Sequence, residues 1–241
     1  MLIINNLTKQ FGEKIAVQRV TCSVHSGEIF SLIGPNGSGK TTIIKMVAGL
    51  LYPNGGTIQV LGNDVTKEPL KTKACIGYIP DEPTTMSGMT GEELLHFMGA
   101  LYGVDAGTRA KKIPELLSQF HLAGIEKEYF ENYSRGNRQK FVILGAFLHN
   151  PKLLLVDEPI VGLDPESATV VKRMLTDFAK SGGAILMATH TLPVAESIAT
   201  KIGILKNGKL VTYGTLADLR IGAKRSASAM LEEIYTVFTT A

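Results

Sequence analysis

Residues 29–51, IFSLIGPNGSGKTTIIKMVAGLL, constrain this chain more than any other stretch. IFSLI is a short, wholly apolar run and reads as a buried strand. GPNGSGKTT, 34–42, follows at once, and TTIIKMVAGLL then takes up helical spacing, with Ile43, Ile44, Val47 and Leu51 on one face. NGG, 54–56, is expected to end that helix. Gly34, Gly37 and Gly39 let the backbone curl until successive N–H groups point inward. The positive end of the following helix adds to the field there. A strand, a glycine loop and a helix in this order make an anion site inside an α/β fold.

The loop fits G-x-x-x-x-G-K-[ST], so the anion is expected to be a nucleotide's phosphate chain. Gly34, Pro35, Asn36, Gly37, Ser38, Gly39, Lys40, Thr41 and Thr42 form the cradle. Lys40 is expected to reach the β- and γ-phosphates, and the Thr41 hydroxyl to hold Mg²⁺. LLLVDEP, 153–159, supplies the complement: an apolar strand ending in two carboxylates, stopped by Pro159. Asp157 is expected to hold the same Mg²⁺ and Glu158 to polarise an attacking water. LDPES, 163–167, reads first as a helix start, with Asp164 as N-cap and Pro165 at the first helical position. His190 follows the strand AILMAT, at the carboxyl end where ligands gather in α/β sheets. A lone histidine at a strand end is otherwise more often structural.

The rest of the chain fits one fold class. LIINNL, AVQRVTCSVH and TIQVLGNDV read as N-terminal strands with turns. From about residue 88 to 150 the pattern turns helical: Thr90 and Glu93 have capping-box spacing before LLHFMGALYG, and RAKKIPELLSQFHL and FVILGAFLH follow. Strand and helix then alternate again. PESATVVKRMLTDFAKSG is a helix closed by Gly182, KIGILKNGKLVTYG a hairpin turning at Asn207-Gly208, and SASAMLEEIYTVFTT a terminal helix. The expected architecture is α/β, with a mainly parallel sheet, an antiparallel β part near the N-terminus and a helical insert. The core is placed at about 1–87 and 151–220, the insert at about 88–150, and a helical extension at 221–241.

Bulk numbers exclude several classes. With 25 basic against 22 acidic residues the net charge is +3, too balanced to argue for nucleic acid. Cys22 and Cys75 are far apart and fit neither a disulfide framework nor a zinc site. MLIINNLTKQ has no signal-peptide pattern, and no apolar run reaches the roughly 18 residues of a membrane span. Any work at a membrane is expected to go through a partner.

Taken together, GPNGSGKTT, LLLVDEP, GLD and ATH, with YSRGNRQK at 133–140, resemble the ATP-binding-cassette ATPases over residues 1 to about 220. IGYIPDEP, TGEELLHFMGALYG and YSRGNRQK are similar in wording to the ATPase subunits of bacterial exporters of the ABC-2 type, whose membrane part is a separate polypeptide. The resemblance implies an ATPase that uses ATP and Mg²⁺. It implies that Phe11 stacks on adenine, that Ser134 and Gly136 belong to the signature motif, that Asp164 is the D-loop aspartate and that His190 is the switch histidine. Two such chains, identical or closely related, would meet head to tail, the signature helix of one facing the γ-phosphate held by the other. The chain would be cytoplasmic, peripheral on the inner face of the cell membrane.

Two positions depart from the family pattern. The signature, usually LSGGQ, reads YSRGN, with Arg135 for the first Gly and Asn137 for Gln. Asp81 stands where the family has a Q-loop glutamine. Asp is shorter and, ionised, only accepts hydrogen bonds, so the loop from Ile79 to Gly88 is expected to grip the membrane partner rather than hold Mg²⁺. Relatives that act on DNA or ribosomes usually carry paired cassettes, coiled-coil insertions or zinc motifs, and none is present. Glu158 and His190 argue against a module that closes on ATP without hydrolysing it.

Overall fold

The computed structural model describes residues 1–83 and 88–240. The chain begins with two antiparallel strands, β1 (Leu2–Phe11) and β2 (Lys14–Val24), then β3 (Ile29–Ile33) and helix α1 (Lys40–Val47). β4 (Gly55–Val60), β5 (Asn63–Asp64), α2 (Pro69–Ala74) and β6 (Ile76–Ile79) follow. Helices α3 (Gly91–Leu101), α4 (Ala106–Ser118) and α5 (Arg135–Phe147) come next, and β7 (Leu153–Asp157) returns to strand. The last part runs α6 (Pro165–Lys180), β8 (Ala184–Thr189), α7 (Leu192–Ile198), β9 (Lys201–Lys206), β10 (Lys209–Gly214), α8 (Leu216–Gly222) and α9 (Leu231–Thr240).

The strands form two sheets. One is antiparallel, in the order β2-β1-β4-β5. The other has the order β10-β9-β3-β8-β7-β6, parallel throughout except for β10. Side-chain alternation splits β7 and β8 between two cores, which is why both read as unbroken apolar runs. Leu153, Leu155, Leu186 and Ala188 pack with α1 and the antiparallel sheet. Leu154, Val156, Ile185 and Met187 pack on the other face with α3 to α6. A third cluster joins Ile33, Ile202 and Ile204 to Leu219, Leu231 and Ile234, so α8 and α9 pack on the β9 side of the sheet.

Most local expectations hold. Thr90 and Glu93 form a reciprocal capping box at α3. Asn207 and Gly208 take φ 50° and 76°, the left-handed pair that a tight hairpin needs. Gly182, at φ 96°, closes α6. Two local readings change. Helix α1 ends earlier than the glycine pair at 55–56: Gly49 takes φ 66°, and the N–H groups of Gly49 and Leu50 bond back to Met46 O and Lys45 O. Leu51 therefore lies beyond the helix. TIQVLGNDV is two strands, because Leu61 and Gly62 both take positive φ and turn the chain. Helix α5 starts at Arg135, within YSRGNRQK as the signature helix implies, with Ser134 as its cap.

Candidate functional site

Two glycines of the expected phosphate loop are held by packing that leaves no room for a side chain. A Cβ on Gly34 would lie 2.2 Å from Leu205 O, and one on Gly39 2.5 Å from Ala16 O. Gly39 also takes φ 108°, which is open to glycine and strained for other residues. As N-cap of α1 it has no side-chain cap, so the first N–H groups of the helix stay available to an anion. Lys40 folds back into the loop and donates to Gly34 O at 2.8 Å and Pro35 O at 3.2 Å. Burial holds its ammonium below the ordinary lysine range, against the pull of Glu158 and Asp157.

Strand β7 carries the two carboxylates up to this loop. Asp157 is buried, and burial pushes its carboxyl up to about 6; a hydrogen bond from Thr41 opposes the rise, Glu158 and Asp81 add to it, and Lys40 counters it. Its Oδ1 is buried without a hydrogen-bond partner, an arrangement that costs free energy unless something occupies it. An orphaned carboxylate oxygen beside a threonine hydroxyl is a pair of hard oxygen donors and fits Mg²⁺. Among the described residues, no cluster of three or more His, Cys, Asp or Glu could hold a metal ion. A cation here would take few protein oxygens and complete its shell with phosphates and water.

Glu158 is the first residue beyond the strand and takes φ 49°, a left-handed backbone that a glutamate rarely adopts. That turn sends its carboxylate toward β8 instead of along β7. Oε2 accepts from Thr189 Oγ1 at 2.9 Å, while Oε1 accepts from His190 N at 2.8 Å and meets His190 Nδ1 at 2.7 Å. Nothing in the sequence assigns Thr189 a role; only its place beside His190 in ATH hints at one.

A cleft of about 530 Å³ lies between these groups. Asn36, Gly37, Gly39, Lys40, Thr41, Thr42, Glu158 and His190 line it, together with Phe11 at the end of β1. Phe11 is half-exposed, with Lys9 Nζ 5.0 Å from its ring centre, so core packing does not account for it. Gly34, Pro35 and Ser38 shape the loop from behind, and Asp157 lies under it.

Three expected residues are elsewhere. Ser134 caps α5 by accepting from Asn137 N at 3.2 Å. Gly136 faces the chain at Gly162, where a Cβ would come within 3.0 Å of the carbonyl. Asp164 caps α6, accepting from Ser167 N and Oγ at 2.8 and 2.7 Å, with Lys140 Nζ 3.3 Å away. The Ser167 backbone bond foremost, then its hydroxyl and Lys140, hold the Asp164 carboxyl well below the usual range. None of the three lines the cleft of its own chain. Asp81 and Arg135 do line it, as a pair. Residues 84–87 of the loop expected to grip a membrane partner lie outside the described residues.

Comparison with known proteins follows the same outline. The ABC transporter family profile matches residues 17–161. Linearmycin resistance ATP-binding protein LnrL of Bacillus subtilis (strain 168) is 33% identical over 243 residues, spanning 100% of this chain and 78% of its own length. A solved ATP binding subunit of an ABC transporter superposes with a TM-score of 0.94 at 32% identity, over 99% of both chains. The ATP-binding cassette MJ0796, solved as a dimer in a post-hydrolysis state bound to ADP and Pi, gives a TM-score of 0.83 at 24% identity over 90% of this chain and 99% of its own.

Proposed function

The chain belongs to the ABC transporter family as an ATP-binding, ATP-hydrolysing subunit, and from that premise we propose that it drives a separate membrane subunit by closing head to tail on a second ATPase subunit. The observation that carries this reading is one cleft holding an uncapped helix N-terminus, a buried lysine and a buried carboxylate oxygen without a partner. Each of these lacks something that MgATP supplies.

The roles follow from the contacts. Lys40 has only neutral carbonyls to donate to; phosphate oxygens are stronger, charged acceptors. Thr41 and Asp157 would hold Mg²⁺, whose charge neutralises the β- and γ-phosphate oxygens. Glu158 is the base. Oε1 already accepts twice, but Oε2 accepts only from Thr189, so Oε2 has a lone pair left for a water proton. His190 has Nδ1 on Glu158, which leaves Nε2 for the γ-phosphate; a protonated ring would donate there. Phe11 offers a half-exposed ring to adenine.

Ser134, Gly136 and Asp164 lie away from their own cleft, and in this reading they serve a neighbouring one. The Ser134 hydroxyl accepts from Asn137 but keeps its own proton to donate, and Gly136 N–H stands in the first turn of α5. A cassette of the same fold is dimeric, which supports that use. No helix among the described residues is long and apolar enough to cross a membrane, so the membrane would be reached through a partner, from the cytoplasmic side where ATP is supplied. A groove of about 160 Å³ lined by Leu50, Tyr78 and Tyr102, with Leu50 half-exposed, suits a protein partner. A relative named for resistance to linearmycin favours export. The net charge of +3 favours no nucleic acid.

Phosphate release by the purified chain with MgATP, then with a candidate membrane polypeptide added, tests the proposal. Release that the membrane polypeptide changes is expected. A chain that binds ATP, yet neither hydrolyses it nor associates with that polypeptide, would overturn it.

A further inference from the structure

The two departures from the family pattern, Asp81 and Arg135, are 54 residues apart in sequence and touch in space. Arg135 Nη2 lies 3.3 Å from Asp81 Oδ1 and 3.5 Å from Asp81 O. One turn further along α5, Gln139 Nε2 donates to Pro80 O at 3.1 Å. The helix therefore holds the loop after β6 at two points, i and i+4, on one face. Beneath the guanidinium stem is Gly162 at φ +83°, where a Cβ would come 3.7 Å from Arg135 Cδ and Nε.

Arg135 is poorly placed for the helix itself. It occupies the first helical position, and the first turn of α5 contains no acidic residue. A cation at that end opposes the helix dipole. Asp81 supplies the missing anion from another segment. Asp81 is in turn poorly placed for the cleft. It lines the same 530 Å³ cavity as Lys40, Thr41, Glu82 and Glu158, where a bare carboxylate repels a triphosphate. Each departure is unfavourable alone, and each removes the other's cost.

We propose that Arg135 is a positioning residue that shields bound phosphates from the Asp81 carboxylate. This inference rests on the cleft's being the ATP site. It makes the two positions unequal. Without Arg135, Asp81 faces the phosphates uncompensated. Without Asp81, the Arg135 guanidinium is released toward them. A simple structural brace would lose the same contact either way.

Titrations with the fluorescent nucleotides mant-ATP and mant-ADP test it, with thermal melting of each variant as the folding check. Arg135→Ala should raise the Kd for mant-ATP roughly three- to fivefold, the range of a half-exposed charge pair. The rise should be smaller for mant-ADP and shrink as salt goes from about 0.05 M to about 0.5 M. Asp81→Asn should leave mant-ATP affinity equal or tighter, and the double variant should recover the affinity that Arg135→Ala alone loses. Arg135→Lys should restore most of the loss; it also serves if the alanine variant does not fold. Equal weakening by the two single variants, or an Arg135→Ala effect identical for both nucleotides, would overturn the inference while leaving the site intact. A folded wild-type chain that binds neither nucleotide would overturn the site and the inference together.

Discussion

Two helix N-termini face the chemistry, and they are built in opposite ways. Helix α1 begins on Gly39 with no side-chain cap, its lysine buried and turned inward. Its open N–H groups are finished by nothing in the chain itself. Helix α5 begins on Ser134, whose oxygen already accepts from Asn137 N, and its first cation is neutralised by Asp81. The first terminus is left open, as an anion would need it. The second has its cap and its first cation already engaged within the chain, and has the Ser134 hydroxyl proton left to offer. Preorganisation suits the terminus proposed to hold ATP; the terminus proposed to meet a second chain carries contacts already made within its own.

The comparison breaks most sharply at Lys40. Lys40→Ala removes the cation at the preorganised terminus and is expected to abolish hydrolysis. Unchanged phosphate release from a folded Lys40→Ala chain would place the site elsewhere. Glu158→Gln should leave ATP bound but slow hydrolysis roughly 10²- to 10⁴-fold. It should also trap an ATP-dependent dimer, visible by gel filtration with MgATP. A variant that stays monomeric at saturating ATP counts against any use of α5 by a second chain. His190→Ala should lower turnover about 10²-fold if the imidazole acts on the transferring phosphoryl group. Turnover at the wild-type level would reduce His190 to holding Glu158 in place.

Asp157 sharpens the comparison through stability. Its folded-state pKa is raised from 3.8 to about 6. Between those values the folded chain binds more protons than the unfolded one, so this group's contribution to stability falls as pH rises through that window and stays low above it. Asp157→Asn removes the charge. In EDTA at neutral pH it should raise the melting temperature by up to about 10 °C, on the order of 2–3 kcal/mol at most. The advantage should shrink as pH falls from about 6 toward 4. An advantage that is flat over that range would mean that burial of the charge is not what the variant relieves.

The elements legible in sequence were those that local chemistry dictates. IFSLI is an unbroken apolar run, and the loop and the start of α1 follow from its glycines, of which Gly34 and Gly39 have no room for a Cβ beside the backbone. The capping box at Thr90 and the turn at Asn207-Gly208 are likewise local. What stayed hidden depends on distant partners or on unusual backbone. Leu61 turns the chain at φ 51° without a glycine's signal, so β4 and β5 looked like one strand. The turn at Glu158, φ 49°, decides which way its carboxylate points, and no residue type announces it. The ion pair between Asp81 and Arg135 joins positions that each looked like a flaw when read alone.

The smallest expected effect tests the second terminus directly. Ser134→Ala deletes the cap of α5 and leaves the N–H of Asn137 without its present acceptor. Loss of an N-cap costs about 1 kcal/mol, so the melting temperature should fall by about 2–4 °C for a chain of this size. Affinity for ATP in the isolated chain should change little, because Ser134 does not line its own cleft. Put on top of Glu158→Gln, however, Ser134→Ala should weaken the ATP-dependent dimer, since the hydroxyl proton that would reach the neighbouring γ-phosphate is gone. Gel filtration at graded ATP separates the two roles. A dimer that forms as readily in the Ser134→Ala background would make Ser134 a cap and nothing more, and the contrast between the two termini would reduce to one binding terminus and one ordinary helix start.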